Sequence, residues 1–593
     1  MVPPFIGGVR YGLVLVALFV GFGGVFARLL HLQVLDREDY VGHARENRER
    51  FDRLHAARGP IVDKSGNLLA ATRTVIELGV DPRALVRGDF SRIPDLAAIT
   101  GVPEEEIRRA FERTDRIDPA TGERRPLRWV KLADAVYPED YERIRALGVR
   151  AVYGHYRNQR IYPAGSMAAH LVGFMAANGE AYYGVEQAMD FYLEGQDGWR
   201  ESEKDGRRRE LAQFRWREVD PRPGLGVELS LDLILQTKVE EELNRIIEEY
   251  SPASASIIVS DPRTGEILAL GNRPTFDPNE HGKADKADWA NRALTLVYEP
   301  GSTFKIVAAS GALNEGLVTA DTVFDCDVSQ VPHRGRTLRL PADHRPLGEL
   351  SVEEIVVKSS NRGAALLGVR LGERGLHEYA RAFGFGERTG LRLGAESRGI
   401  LHPVGKWDGL TLSRLPMGHA VAATPVQVHA AMGVLAAGGV RKPLRLVRRI
   451  FDADGDTVIR FEESEGERVL SPAVAAEMAG FLERVVGPDG TARRAFLDGF
   501  RVAGKTGTTQ MIIDGAYSDR QHVASFSGFF PADDPRVVIT VVVEDPRLEG
   551  TGYGGVVAAP VFRRIGETAA HHLRVDPRGV IGGGLLAEKE VRR

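Results

Sequence analysis

The C-terminal two thirds of this chain predict an α+β fold: an antiparallel sheet with flanking helices and a helical insertion. Strand signals stand at both ends of the region. Ser256 to Ser260 and Glu266 to Leu270 are short apolar runs joined by Asp261-Pro262-Arg263-Thr264-Gly265, a tight hairpin by its turn chemistry. Val523 to Phe529 and Val537 to Val543 flank Pro531-Ala532-Asp533-Asp534-Pro535, again two strands and a turn, and Pro560 to His571 reads as a closing helix. Between these ends the periodicity is helical. Ahead of them the sequence predicts one membrane-spanning helix and an elongated α+β region without catalytic motifs.

At 593 residues the chain exceeds what one hydrophobic core supports, so at least two domains are expected. Hydrophobic residues at 43% and charged residues at 27% are those of a globular protein, and a net charge of −4 argues against a nucleic-acid partner. The single cysteine, Cys326, excludes an internal disulfide framework and a multi-cysteine metal site and reads as a small core residue. No cofactor or metal is expected.

Taken in order, residues 1–10 are a short tail and residues 11–32 an apolar anchor. The uncharged run from Tyr11 to Ala27 is at the lower limit for a membrane span, and Leu29, Leu30 and Leu32 extend it beyond a snorkelling Arg28. A cleaved signal peptide is the competing reading, with Val25-Phe26-Ala27 a formal cleavage site, but the run exceeds a normal signal core. Residues 33–225 form the non-catalytic region. It opens with the charge-dense stretch from Asp36 to Arg53, a solvated helix or stalk. Ala57 to Ala70 follows as strand, polar turn and strand, with Ser65-Gly66-Asn67 in the turn. Arg58, Arg160 and Glu186 sit in Gly-rich turns and read as structural, pinning strands together. Glu201 to Glu218, with Arg207-Arg208-Arg209, reads as a solvated hairpin near the cleft.

Pro221-Arg222-Pro223-Gly224 is a turn-rich boundary, and a second domain is expected over residues 226–575, followed by a tail at 576–593. It enters a long helix through Ile234, Val239, Leu243 and Ile246. Within this domain stands Glu299-Pro300-Gly301-Ser302-Thr303-Phe304-Lys305. Pro300 and Gly301 suit a turn, and Ile306, Ala309, Ala312 and Leu313 continue at helical spacing, so Ser302 falls in the first turn with Lys305 on the same face. A serine hydroxyl is a weak nucleophile, and a desolvated amine drops its pKa far enough to take the proton. Ser302 is the only serine in the chain with lysine at the third position after it. Ser359-Ser360-Asn361 follows, in a helical stretch from Ser351 to Leu371 that opens with the capping box Ser351-Val352-Glu353-Glu354. Ser359 suits a proton relay, and Asn361 offers a donor and an acceptor to a peptide backbone. Lys505-Thr506-Gly507-Thr508 comes last, in a strand-like context. There Gly507 allows close approach of a substrate backbone to a strand edge, and Lys505 and Thr508 suit a terminal carboxylate.

Ser-x-x-Lys, Ser-x-Asn and Lys-Thr-Gly in this order resemble the class B penicillin-binding proteins, membrane-anchored peptidoglycan D,D-transpeptidases. Ala57 to Ala70, Arg160 to Gly165, His170 to Phe174, Gly184-Val185-Glu186 and Leu193-Glu194-Gly195 match segments of that family's non-catalytic domain, with Lys64 replacing the usual arginine. The resemblance implies a penicillin-binding-protein/serine β-lactamase-like transpeptidase domain on a dimerisation-type pedestal. Catalysis would fall to Ser302, Lys305, Ser359, Asn361 and Lys505, with Thr506, Gly507 and Thr508 binding substrate and backbone N–H groups of Ser302 and Thr508 forming the oxyanion hole. It also implies peptidoglycan stem peptides as substrates, β-lactams as covalent inhibitors, and a single-pass protein of the inner membrane with its catalytic domain in the periplasm or extracytoplasmic space. Residues 1–10 would then be cytoplasmic. Partners would be a separate glycan polymerase and membrane proteins of the division complex, since the segment between residue 30 and the pedestal leaves no room for a glycosyltransferase domain.

Glu299, Met417-Gly418-His419, Thr424-Pro425-Val426-Gln427, Tyr553-Gly554-Gly555 and Ala558 to Phe562 look most like the septal, cell-division branch, with the elongation branch as the alternative. Ala436-Ala437-Gly438-Gly439 lacks the asparagine that often precedes the two glycines. A class A β-lactamase needs a Glu-x-x-x-Asn element after the middle motif, and Asn361 is the last asparagine in the chain. A D-Ala-D-Ala carboxypeptidase shares the acyl-enzyme and stays open, as does a catalytically silent division-complex scaffold, against which the intact trio argues.

Overall fold

A computed structural model of the chain describes residues 8–35, 49–118, 122–204, 210–548 and 553–577. The chain divides into two compact units, residues 1–57 with 195–223 and residues 58–194 with 224–593.

The first unit carries the helix Gly8–Leu30, continued by a π-helical turn at His31–Leu35. Among the described residues it is the one helix long and apolar enough to cross a membrane, and its apolar window is wholly unburied. The unit also holds a three-stranded antiparallel sheet of Glu49–Leu54, Gly198–Lys204 and Glu210–Val219. The hairpin expected at 201–218 is its second and third strands. Phe51 stacks on Trp199 with ring centroids 5.8 Å apart, tying the first strand to the second. Arg207-Arg208-Arg209 and residues 36–48 of the charged stretch lie outside the described residues, as do residues 578–593 of the tail.

In the second unit the expected strand, turn and strand is present as Ile61–Val62 and Leu68–Val80. Buried Asp63 closes the turn by accepting from the backbone N–H of Ser65 at 2.9 Å and Asn67 at 2.8 Å. Leu68–Val80 pairs with Val130–Val136 and Val152–Ile161, and the helices Ile93–Thr100, Glu104–Glu112 and Pro138–Ala146 supply the residues that cover this sheet, in a cluster of Ile76, Leu78, Val80, Leu96, Ile107, Phe111 and Ile144.

Glu186 is fully buried and binds two arginines, Arg58 Nε at 2.6 Å and Arg160 Nε at 2.7 Å, while Tyr162 donates to it at 3.2 Å. Arg160 also donates to the Gly59 carbonyl at 2.7 Å, so the cluster fastens three segments distant in sequence. Removing one partner of a buried ion pair leaves uncompensated charge. Glu186→Ala is therefore expected to destabilise the protein by about 3–5 kcal/mol. Thermal unfolding of the purified protein measures this, and an unchanged melting temperature would contradict the pinning role.

The boundary expected at 225/226 runs through a sheet and a core. Gly226–Leu229 pairs in parallel with Ile61–Val62 and antiparallel with Val447–Phe451, and one apolar cluster joins Ile61, Leu69, Phe174 and Leu193 to Val227, Leu229, Ile258, Ile267 and Leu446. A cut at this boundary exposes that cluster.

The catalytic-motif region begins with helix α1 (Leu233–Tyr250), whose N-cap Asp232 accepts from Ile234 N at 3.0 Å and Leu235 N at 3.2 Å. Its five-stranded sheet comprises β1 (Ser254–Ser260), β2 (Ile267–Arg273), β3 (Ala503–Ile513), β4 (Ala516–Phe530) and β5 (Val537–Glu544), in the order β2-β1-β5-β4-β3 with every pairing antiparallel. β1 is buried along its whole length. α1 packs on β2, where Gln236 pairs with both backbone groups of Leu270 at 2.9 and 3.0 Å. The closing helix α5 (Ala559–His572) packs Phe562 edge-on against Phe526 of β4 at 4.9 Å. Helices α2 (Lys305–Asn314), α3 (Asn361–Ala382) and α4 (Pro425–Ala436) lie between the strand pairs in sequence, as the α+β reading requires. Cys326 is a buried core residue. β3 occupies the sheet edge, and among the described residues no strand pairs with its outer side.

Candidate active site

The Ser302 segment is a 3-10 turn, Gly301–Phe304, that runs into α2 at Lys305. Every residue from Lys305 to Leu313 is buried, and Phe304 packs on Phe385 with ring centroids 4.8 Å apart, so the turn is anchored from beneath. Ser302 is half-buried at its open side. The turn is clasped by a neighbouring loop, where Gly301 N donates to the Gly418 carbonyl at 3.2 Å. Gly418 has φ +83°, and a Cβ there would stand 2.0 Å from the Gly301 carbonyl oxygen, so only glycine fits.

The middle motif does not lie within one helix, as the 351–371 reading expects. Ser351 caps a short helix, Val352–Val357, with the expected capping box, but the chain then breaks and restarts as α3 at Asn361. Ser359 sits in the break with φ +59°, a left-handed conformation that is strained for a side-chain-bearing residue and turns both its hydroxyl and its carbonyl toward Lys305. Ser360, the variable position, caps α3 by accepting from Gly363 N at 2.9 Å and donates to Asp343 at 2.7 Å. Two competing caps within ten residues explain the break, and the helical pattern conceals it because both segments bury apolar faces.

Lys305 and Lys505 meet on Ser359. Lys305 Nζ donates to the Ser359 carbonyl, to Ser359 Oγ at 3.1 Å and to Asn361 Oδ1 at 2.8 Å. Lys505 Nζ donates to the same Oγ at 2.9 Å and to the Thr506 carbonyl at 3.3 Å. Burial holds the Lys305 amine well below its ordinary value, reinforced by the charge of Lys505 and opposed by Asp343. Burial alone brings Lys505 down to about 7. An uncharged amine next to a hydroxyl can accept a proton, and one that titrates near neutrality can return it. Asn361 spends its acceptor on Lys305 and one amide hydrogen on the Ala342 carbonyl at 3.1 Å, leaving a single hydrogen for a ligand.

Residues 503–513 are the edge strand β3, with Lys505 opposite Ser527 and Gly507 opposite Ser525 on β4. The space left by Gly507 is taken up by the Ser302 turn: a Cβ there would stand 2.3 Å from Ser525 Oγ and 3.1 Å from both the Pro300 carbonyl and Thr303 Cγ2. Gly507 thus lets Ser525 of β4 and the nucleophile turn close on β3. Lys505 is 0% exposed and lies beneath the cleft surface. The third motif reaches the cleft through Thr506 and Thr508.

The cleft has a volume of about 990 Å3 and is lined by Ser302, Ser359, Asn361, Thr506 and Thr508 among others. All eight candidate residues therefore meet in one place: five line the cleft, Lys305 and Lys505 bond to its Ser359, and Gly507 seats the turn that holds Ser302. Two residues here escape sequence reasoning. Asp343 accepts from Ser360 Oγ and from the backbone of Asn361, fixing the middle motif. Thr491 shares a hydrogen bond with Thr506 Oγ1 at 3.0 Å. Neither stands in a recognisable motif, and both reach the site from separate loops.

A model of the penicillin-binding protein transpeptidase domain matches residues 255–567, and a model of the penicillin-binding protein dimerisation domain matches residues 53–229. The chain is 32% identical to stage V sporulation protein D of Bacillus subtilis, over 96% of this chain and 87% of that protein. It is 28% identical to the peptidoglycan D,D-transpeptidase FtsI of Escherichia coli, over 97% of this chain and 93% of that one. The crystal structure of penicillin-binding protein 3 from Mycobacterium tuberculosis, complexed with aztreonam, aligns with a TM-score of 0.67 at 27% identity, covering 89% of this chain and 98% of that chain.

Proposed function

Since the chain belongs to the class B penicillin-binding proteins, we propose that it is a serine-type D-Ala-D-Ala transpeptidase, cross-linking peptidoglycan stem peptides through a Ser302 acyl-enzyme in septal wall synthesis during division. The observation that carries this reading is the convergence of the buried Lys305 and Lys505 on Ser359 and Asn361, which line the same cleft as Ser302, in one hydrogen-bonded cluster.

In this mechanism Ser302 Oγ attacks the carbonyl between the two D-alanines, and the neutral Lys305 amine takes the hydroxyl proton. Backbone N–H groups of Ser302 and Thr508 hold the oxyanion. Lys505 and Ser359 pass a proton to the departing D-alanine amine. Thr506 and Thr508 bind the terminal carboxylate at the cleft surface, with Lys505 supporting them from below. The amine of a second stem peptide then attacks the Ser302 ester, forming the new amide and returning the serine hydroxyl. β-Lactams enter the same acylation step and stop there. We assign residues 11–32 to the anchor, 33–225 to the pedestal and 226–575 to the catalytic domain, which faces the periplasm or extracytoplasmic space. Glycan strands come from a separate polymerase, and division-complex membrane proteins are the expected companions. The septal assignment is supported by the similarity to FtsI of Escherichia coli.

Mass spectrometry of the detergent-solubilised full-length protein after incubation with labelled penicillin tests the nucleophile. One adduct, on the peptide that contains Ser302, is expected. Label on any other residue would overturn the assignment.

A further inference from the structure

One end of the cleft has no role in the steps above. A donor peptide laid antiparallel along the outer side of β3, with its terminal carboxylate at Thr506 and Thr508, runs from there toward Gln510 and leaves the opposite end open. On the β3 side of that end, Thr491 bonds to Thr506 Oγ1 at 3.0 Å, and Asp489, Arg493 and Arg494 line the cleft beside it. The facing wall is the loop ahead of the middle motif, with His344 and Arg345, and Lys358 next to Ser359. The walls approach each other here. The His344 ring stands edge-on to that of Tyr553 with centroids 6.5 Å apart, and Gly554, beside Tyr553, donates to Thr508 Oγ1 at 3.0 Å.

The charges at this end do not balance. Asp343 is occupied by Ser360 and the Asn361 backbone, and Lys358 by Glu354 at 3.0 Å. Among the described residues lining the cleft, that leaves Arg345, Arg493 and Arg494 against Asp489, which also faces Arg484. Arg494 also faces Tyr250. Arg345 and Arg493 are both exposed, one on each wall. Together they offer two guanidinium forks to an anion that enters between them.

The reaction says what enters. Once D-alanine has left, the rest of the donor fills the Gln510 end, so the attacking amine comes through the end that D-alanine vacated. Its nitrogen bonds to the acyl carbon as the ester C–O bond breaks, and the amine proton passes to the Ser302 oxygen. The acceptor is itself a stem peptide. It therefore brings a C-terminal carboxylate along with its amine.

We propose that Arg345 and Arg493 bind the terminal carboxylate of the acceptor stem peptide and so favour that peptide over water at the Ser302 ester. This rests on the transpeptidase reading above. The carboxylate they hold is the acceptor's, distinct from the donor carboxylate at Thr506 and Thr508. Both arginines are specificity residues for the second half of the reaction and take no part in acylation.

The test gives the full-length protein one donor, Nα,Nε-diacetyl-L-Lys-D-Ala-D-lactate, and in separate runs one of two acceptors at equal concentration, Nα-acetyl-L-Lys-D-Ala or its C-terminal carboxamide. Mass spectrometry reads the ratio of joined peptide to hydrolysed donor. The carboxylate acceptor is expected to give a ratio about tenfold higher than the carboxamide, the size of one charge-assisted hydrogen bond. In the double variant Arg345→Gln, Arg493→Gln this preference is expected to fall to about one, while penicillin still labels Ser302 at the wild-type rate. The ratio is set after the acyl-enzyme has formed, so it does not depend on how fast a variant is acylated. In the wild type the preference should also weaken at about 1 M salt, which screens exposed charges. No preference in the wild type, a preference that survives the double substitution, or one indifferent to salt overturns the proposal. Loss of penicillin labelling in the double variant overturns it too, because the arginines would then serve the donor or the fold. Hydrolysis alone with both acceptors counts instead against the transpeptidase reading and for a carboxypeptidase.

Discussion

Lys305→Ala is expected to slow acylation of Ser302 by labelled penicillin on the order of 10^3-fold or more, and Ser302→Ala to abolish it. The lysine is 2% exposed, and among the described residues it hydrogen-bonds to Ser359 and Asn361 and to no carboxylate, so it is not held as a surface ion pair there. Burial favours the uncharged amine, the form a base needs. The acylation rate of the wild type should therefore rise with pH as the remaining protonated fraction is lost, and that limb should be missing from Lys305→Ala. Stopped-flow measurement of adduct formation across the pH range checks both statements. Near wild-type acylation by the alanine variant would remove Lys305 from the base role.

Lys505→Met is expected to lose activity and gain stability together. A lysine whose folded pKa is brought down to about 7 binds fewer protons in the folded state than in the unfolded chain between pH 7 and its ordinary value near 10. Folding must then expel a proton, which at pH 7 costs on the order of a few kcal/mol, and stability rises as pH increases through that window. Methionine fills a similar volume without the cost. The variant should melt several degrees above the wild type at pH 7, and the gap should close by about pH 10. Its acylation should fall by on the order of 10^2-fold or more, since the Ser359 hydroxyl loses one of its two amine partners. Melting curves at several pH values decide the matter, and a variant less stable than the wild type at pH 7 would refute the account.

Short-range physics made much of this protein legible. The turn chemistry of Asp261 to Gly265, the capping box at Ser351, the periodicity after Lys305 and the apolar run from Tyr11 are interactions among residues a few positions apart, and each appears as a hairpin, a cap or a helix where the pattern places it. The order and residue types of the three motifs likewise pointed to one acyl-transfer chemistry, because a nucleophile, a desolvatable amine and a relay hydroxyl have few substitutes.

Only the tertiary structure decided how those groups act on one another. That Lys305 and Lys505, 200 positions apart in the chain, share the Ser359 hydroxyl follows from the Gly301–Phe304 turn, which leads into α2, packing against β3. The left-handed Ser359 is held by two caps and by Asp343, a residue from a loop with no motif of its own. The same dependence on long-range packing set Gly507 against the nucleophile turn, placed Lys505 beneath the cleft, and ran a shared sheet across residue 226. Periodicity reports which face of a segment is buried. The partner it is buried against is chosen by packing over distances that no local pattern encodes.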